Sequence, residues 1–242
     1  MNYNVSDGRK YIWLFWYQGF DEAPQLVTRC VESIRKHAND YEVILLDKNN
    51  YAKWVELDKS IHDALEKNEI GLAHFSDFLR LKLLIEYGGV WIDPTVYMTD
   101  RIPDDISSAD IFMFKGPNRS ELLLQDRGCV SNWFILAKPN NVVLSITYVL
   151  MTEYIKKNHK FCDYYMTHWI LTYVFRKCTD EWEKIPFYPS VMPHYFQFCD
   201  VTNRYDKKKW DTIQRISFVH KLSYKIEVKE GSYLERLILG ID

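Results

Sequence analysis

The chain has 242 residues, 47% hydrophobic and 26% charged, with a formal net charge of −2. That balance is globular and not disordered, and the length supports one sizeable core. It lacks the basic excess of a nucleic-acid binder, so no nucleic-acid partner is expected.

Five cysteines, Cys30, Cys129, Cys162, Cys178 and Cys199, are scattered with no Cys-x-x-Cys pair. Free thiols fit that pattern better than a disulfide framework or a zinc site. The first residues lack the apolar core of a signal peptide, and no run approaches the roughly 18 apolar residues of a membrane-spanning helix. The expectation is a cytoplasmic protein, with peripheral association at the inner face of the membrane left open.

In chain order, Tyr11 to Trp16 is an aromatic-rich apolar run closed by Gly19 and predicts a first buried strand. Leu26, Val27, Cys30, Val31 and Ile34 follow helical spacing after Pro24, and Val43 to Leu46 predicts a second buried strand. This order implies a parallel βαβ unit. Residues 51–68 read as a polar surface pair of short helices. From Ala73 to Tyr87 the helix is far more apolar, and Gly88-Gly89 ends it. Val90 to Ile92 then forms a short central strand that delivers Asp93 at its carboxyl end, where open α/β sheets bind ligands.

Downstream, Ile111–Phe114 and Cys129–Ala137 predict strands, 141–157 and 164–178 predict helices, and Arg215–His220 predicts a last strand. There are no repeats or linkers. The expected architecture is one α/β domain over 1–242, in two halves at 1–100 and 101–242.

Three polar residues, Asp77, Arg80 and Asp93, interrupt the apolar stretch 74–95. A lone charge inside a core is costly unless it is paired or binds something. Asp77 and Arg80 lie three apart on one helix, hence on one face; a helix salt bridge alone would account for them. Asp93 before Pro94 and Thr95 could end a strand in a turn, or supply one carboxylate to Mg²⁺ or Mn²⁺ beside substrate phosphates. Near a pyrophosphate, Lys221 or Lys225 would stabilise a departing nucleoside diphosphate. Asp163 and His168 are acceptor-side candidates, although their i, i+5 spacing suits packing better than a shared face. No phosphate loop, dinucleotide fingerprint, nucleophile elbow or His-Glu-x-x-His motif is present.

Read whole, Phe75-Ser-Asp-Phe-Leu-Arg through Tyr87-Gly-Gly-Val-Trp-Ile-Asp-Pro-Thr resembles the Ser-Asp-x-x-Arg…Tyr-Gly-Gly-(Val/Ile)-(Trp/Tyr)-x-Asp signature of bacterial capsular polysaccharide synthesis glycosyltransferases. These are relatives of the sugar transferases with a DXD motif and, more remotely, of the clostridial glucosylating toxins. Trp13-Leu-Phe-Trp-Tyr-Gln-Gly with Pro24 and Cys30, Ser131-Asn-Trp-Phe-Ile-Leu-Ala-Lys, and His220-Lys-Leu-Ser-Tyr-Lys extend the resemblance over nearly the whole chain.

The resemblance implies a glycosyltransferase-A type α/β fold, one nucleotide-sugar-binding domain with a mixed central sheet. It implies donor-sugar contacts from Asp77 and Arg80, and Asn132 near the donor sugar. Trp13 and Trp16, with Tyr17, fall where the nucleobase is held. Asp93 and His220 would hold the divalent metal, Mn²⁺ or Mg²⁺, and Lys225 would contact the diphosphate.

One departure stands out. Thr95 replaces the second acid, leaving one fewer carboxylate for the metal. The expected reaction moves a hexosyl or N-acetylhexosaminyl group from a nucleoside diphosphate-sugar, uridine-linked, to an oligosaccharide or lipid-linked saccharide, with retention. Two rivals are a non-catalytic nucleotide-sugar or glycan-binding module and a toxin-like enzyme acting on a protein. Against the toxin stands the lack of any delivery or membrane-insertion region in these residues.

Overall fold

Lys10–Phe15 forms β1, and all of it but Lys10 is buried, as a central strand covered on both faces requires. The computed structural model describes residues 8–116 and 130–241. Cys129, expected to open a strand, lies outside the described residues.

From β1 the chain runs through α1 (Gln25–His37) to β2 (Tyr41–Leu46), then α2 (Lys59–Glu66), α3 (Leu72–Tyr87) and β3 (Gly89–Ile92). β4 (Val96–Met98), α4 (Asp104–Ser107), β5 (Ile111–Lys115) and β6 (Val130–Ala137) follow. The remainder is α5 (Val142–Asn158), α6 (Met166–Lys177), α7 (Thr179–Lys184), α8 (Val191–Cys199), α9 (Lys207–Ile216), β7 (Val219–Lys221) and α10 (Tyr233–Leu239).

Five strands form one mixed sheet in the order β2-β1-β3-β6-β5. β1 lies parallel to β2 and β3, and β6 runs antiparallel to both β3 and β5. The expected βαβ unit is present. β4 and β7 make a separate antiparallel pair.

The step from α3 into β3 depends on two glycines with positive φ, 67° at Gly88 and 93° at Gly89. A Cβ on Gly89 would stand 2.4 Å from the Tyr11 carbonyl oxygen, and one on Gly88 would stand 2.6 Å from Pro139 Cδ. Only glycine meets both the conformation and the close approach.

Two expectations need correction. Residues 51–68 are less superficial than their polarity implied: Val55, Leu57, Ile61 and Ala64 are buried, and α2 packs on α3 and α5. Arg215 and Ile216 end a helix and do not open a strand. Asp206 caps α9 by accepting from the Lys209 amide, and Trp210 and Ile213, three apart, face the core. The last strand is only Val219–Lys221.

The main core surrounds the five-stranded sheet with α3, α5 and α6. A second, smaller core joins Leu26 and Cys30 of α1 to Tyr97, Phe196, Trp210 and Tyr233. Among the described residues no helix is long and apolar enough to cross a membrane.

Candidate active site

β1 connects outward to β2 on one flank, whereas β3 continues to β6 on the other. At such a switch point the carboxyl ends of neighbouring strands part and open a crevice. A cleft of about 730 Å³ lies there, walled by Phe15–Gln18 after β1 and Asp93–Thr95 after β3. Its size suits a small-molecule ligand. A second lobe of about 390 Å³ shares Asp93, Asn132 and His168 and continues towards Ser131 and Ser190.

The floor is a charge cluster. Asp77 and Arg80 project from the same face of α3, and both are about 95% buried, with 5% and 4% exposure. Arg80 Nη2 lies 3.1 Å from Asp77 Oδ1 and 3.4 Å from Asp93 Oδ1. Arg80 also donates to the Asn132 carbonyl at 2.6 Å and to the Ser76 hydroxyl at 3.1 Å, and it stacks over Trp91.

Asp77 accepts from Asn132 Nδ2 at 3.0 Å and from the Thr167 hydroxyl at 2.7 Å. A carboxylate offers about four acceptor sites. Three donors reach Asp77, which leaves one acceptor site not taken by the described residues. Asp93 accepts from the Trp91 indole N–H at 3.1 Å, and its own amide is tied to the Trp133 carbonyl. The sheet therefore brings Asp77, Arg80, Asp93 and Asn132 together, as expected. Thr167 and Ser76 complete the cluster and were not foreseen. Thr167 lies 90 residues from Asp77, beyond the reach of any local pattern.

The closing segment divides. In β7, Lys221 and His220 are successive residues of a strand and point to opposite faces. Lys221 enters the cleft: its Nζ donates to the Thr95 hydroxyl and lies 3.4 Å from Asp93 Oδ2. His220 turns away, 1% exposed, with Phe196 and Trp210 about its ring and Thr99 Oγ1 3.4 Å from Nε2. Burial pushes its pKa down from 6.5 to about 4. The predicted metal pairing of His220 with Asp93 is therefore not formed.

Trp13 is corrected as well. It is fully buried, donates its indole N–H to the Gly88 carbonyl at 2.9 Å, and packs on Tyr11 and Trp54. Strand alternation carries it into the core beneath the sheet. Trp16 and Tyr17, just past the strand end, do line the cleft. Trp16 meets Tyr224 edge-on at 5.6 Å. Lys225 is exposed at the cleft mouth.

His168 lines both lobes. Among the described residues its buried Nδ1 has no hydrogen-bond partner, and burial, partly offset by Asp77, lowers its pKa. His194, which sequence reasoning missed, also borders both lobes; burial lowers its pKa, with Lys221 adding in the same direction. Asp163 stays outside, capping the turn at Tyr165.

These residues fit a divalent cation poorly. Among the described residues no group of three or more His, Cys, Asp or Glu side chains is placed to hold a metal. Asp93 is already flanked by Arg80 and Lys221. Arg80 and Lys221 offset the charge of the two acids, so the cluster offers a cation no net negative charge.

The mixed α/β sheet with its cleft at the switch point has the glycosyltransferase-A type of fold. The fold is similar to that of the PaToxG glycosyltransferase, with a TM-score of 0.50 and 14% identity over 71% of this chain and 69% of that one. It is also similar to apo-form glycosyltransferase GlyE of Streptococcus pneumoniae TIGR4, with a TM-score of 0.52 and 11% identity over 96% of this chain and 59% of that one. At such identities the likeness is one of fold.

The sequence pattern of the capsular polysaccharide synthesis proteins matches residues 1–237, and the chain belongs to that family. It is 30% identical over 107 residues to O-glycosyltransferase braB of Annulohypoxylon truncatum, covering 39% of this chain and 25% of that protein. It is 28% identical over 108 residues to O-glycosyltransferase PaGT of Phomopsis amygdali, covering 41% and 27%. The chain spans about a quarter of the length of the curated relatives it matches.

Proposed function

We propose that the protein transfers a hexosyl or N-acetylhexosaminyl group from a uridine-linked nucleoside diphosphate-sugar to an oligosaccharide or lipid-linked saccharide in capsule or surface polysaccharide synthesis. The observation that carries this reading is Asp77. It is buried at the cleft floor, held by Arg80, Asn132 and Thr167, and keeps one acceptor site for a sugar hydroxyl. The base lies against Trp16 and Tyr17, and Lys225 meets the diphosphate. The second lobe, towards Ser131 and Ser190, takes the acceptor.

Two further points support retention. Asp77 and Asp93 are the acids lining the main cleft, and both are engaged by cations, so neither is a free base for the acceptor. The departing diphosphate can take the acceptor proton on the same face. Family membership and the O-glycosyltransferase relatives support transferase chemistry.

The test is a panel of nucleotide sugars with saccharide and lipid-linked acceptors, read by diphosphate release and by anomeric NMR of the product. Turnover lost in Asp77→Asn is expected. Binding without turnover across the panel would make the chain a non-catalytic nucleotide-sugar module. An inverted anomer would overturn retention and move the base role to His168.

A further inference from the structure

Lys221 stands where the acidic motif calls for a cation. β7 pairs with β4 so that Lys221 lies opposite Val96, and the Leu222 amide donates to the Thr95 carbonyl at 2.9 Å. This backbone pairing aims the lysine at the residues just after β3. Its ammonium touches both Asp93 and Thr95, the first and third positions of Asp-Pro-Thr.

With an acid at both of those positions, two carboxylates and the substrate phosphates could share a divalent ion. Here the third position is a hydroxyl, which accepts from an ammonium but brings no charge. The floor is already neutral, with Asp77 and Asp93 balanced by Arg80 and Lys221. No carboxylate charge is left over for a metal.

We infer that the Lys221 ammonium replaces the divalent cation of the diphosphate site, so that nucleoside diphosphate binding and sugar transfer proceed without metal. The inference rests on the glycosyltransferase reading above. An ammonium has three donors; Thr95 takes one and Asp93 lies within ion-pair range, which leaves donor capacity for a diphosphate oxygen in the cleft that Lys221 lines. In the transfer the bond from the anomeric carbon to the diphosphate oxygen breaks, and its electron pair leaves with the diphosphate. The acceptor oxygen bonds to that carbon, and its proton passes to the released diphosphate. Lys221 keeps its protons and stabilises the charge that develops beside it.

The experiment is calorimetric binding of UDP, GDP and ADP to the wild-type protein and to Lys221→Met, each in EDTA and in excess Mn²⁺, with Mn²⁺ followed by electron paramagnetic resonance. The expected result is one nucleotide that binds in EDTA and gains less than about twofold in affinity from Mn²⁺. Lys221→Met weakens that nucleotide about tenfold or more, the loss of one charge-assisted hydrogen bond. The Mn²⁺ signal should match that of a protein-free control holding the same nucleotide.

Binding seen only with Mn²⁺, with the ion immobilised, overturns the inference and leaves a nucleotide-binding transferase standing. Absence of binding by all three nucleotides in both media overturns the inference and the glycosyltransferase reading together. The comparison of media needs only the wild-type protein, so it decides the matter even if Lys221→Met folds poorly.

Discussion

The cleft floor and the second core both bury polar side chains, and they do so on opposite terms. At the floor, Arg80 meets Asp77 and Asp93, while Asn132 and Thr167 complete Asp77. In the second core, His220 lies among aromatic rings with its Nδ1 unpartnered. Charge is sustained in the first place because every charge has an opposite neighbour. In the second, only the neutral form fits. At the floor the paired charges face a cleft that can take a polar ligand, whereas the His220 ring only fills space between Phe196 and Trp210.

The largest effect should come from taking the cation out of the floor. Arg80→Leu leaves the buried Asp77 carboxylate without its cation, and breaking a buried ion pair costs about 3–5 kcal/mol. Equilibrium denaturant unfolding measures this; a loss below about 1 kcal/mol would mean that the cluster is not a paired network.

The next effect tests the other region. The folded-state pKa of His220, about 4, lies below its ordinary 6.5, so the unfolded chain takes up the proton first. The contribution of the neutral ring is whole above about pH 6.5. It is lost as pH falls towards 4, by about 3 kcal/mol. His168 and His194, also lowered by burial, act in the same direction. Below about pH 6.5 the stability of wild type should fall more steeply than that of His220→Leu, the gap between the two changing by about 3 kcal/mol between pH 6.5 and 4. Parallel curves would show that His220 takes no part in the acid sensitivity.

How much of this was legible depends on which period the chain was following. Over sixteen residues of α3, helical spacing places Asp77 and Arg80 on one face without further information, and Gly88-Gly89 marks the turn into β3. Three-residue β7 gives only an alternation: one of His220 and Lys221 enters the cleft, and the register with Val96 and Tyr97 decides which. Trp13 shows the same limit, because β1 is buried on both faces and its sequence does not say where each ring ends up. Thr167 and His194 were out of reach because nothing local links them to β3.

A smaller effect probes the support of the floor. Thr167→Val removes one donor from the buried Asp77 carboxylate, and a hydrogen bond to a charged group is worth about 1.5–3 kcal/mol. We expect a stability loss in that range together with weaker donor binding, because Asp77 is then free to turn. A loss of stability with unchanged donor affinity would separate Asp77 from the ligand.

The smallest change in stability should come from the tryptophan that reaches the cleft, and its contrast with Trp13 is the sharpest comparison of all. Trp13→Phe deletes the N–H that satisfies the Gly88 carbonyl and should cost about 1–2 kcal/mol, with little effect on nucleotide affinity. Trp16→Ala, at the half-buried wall beside Tyr224, should leave stability within about 0.5 kcal/mol. It should weaken nucleotide binding by the about 1–3 kcal/mol that stacking a base on an aromatic ring provides. Two tryptophans three residues apart, one in β1 and one just past its end, would then answer to different measurements, one to unfolding and the other to binding. If both substitutions moved unfolding and neither moved binding, the base would have to lie elsewhere in the cleft.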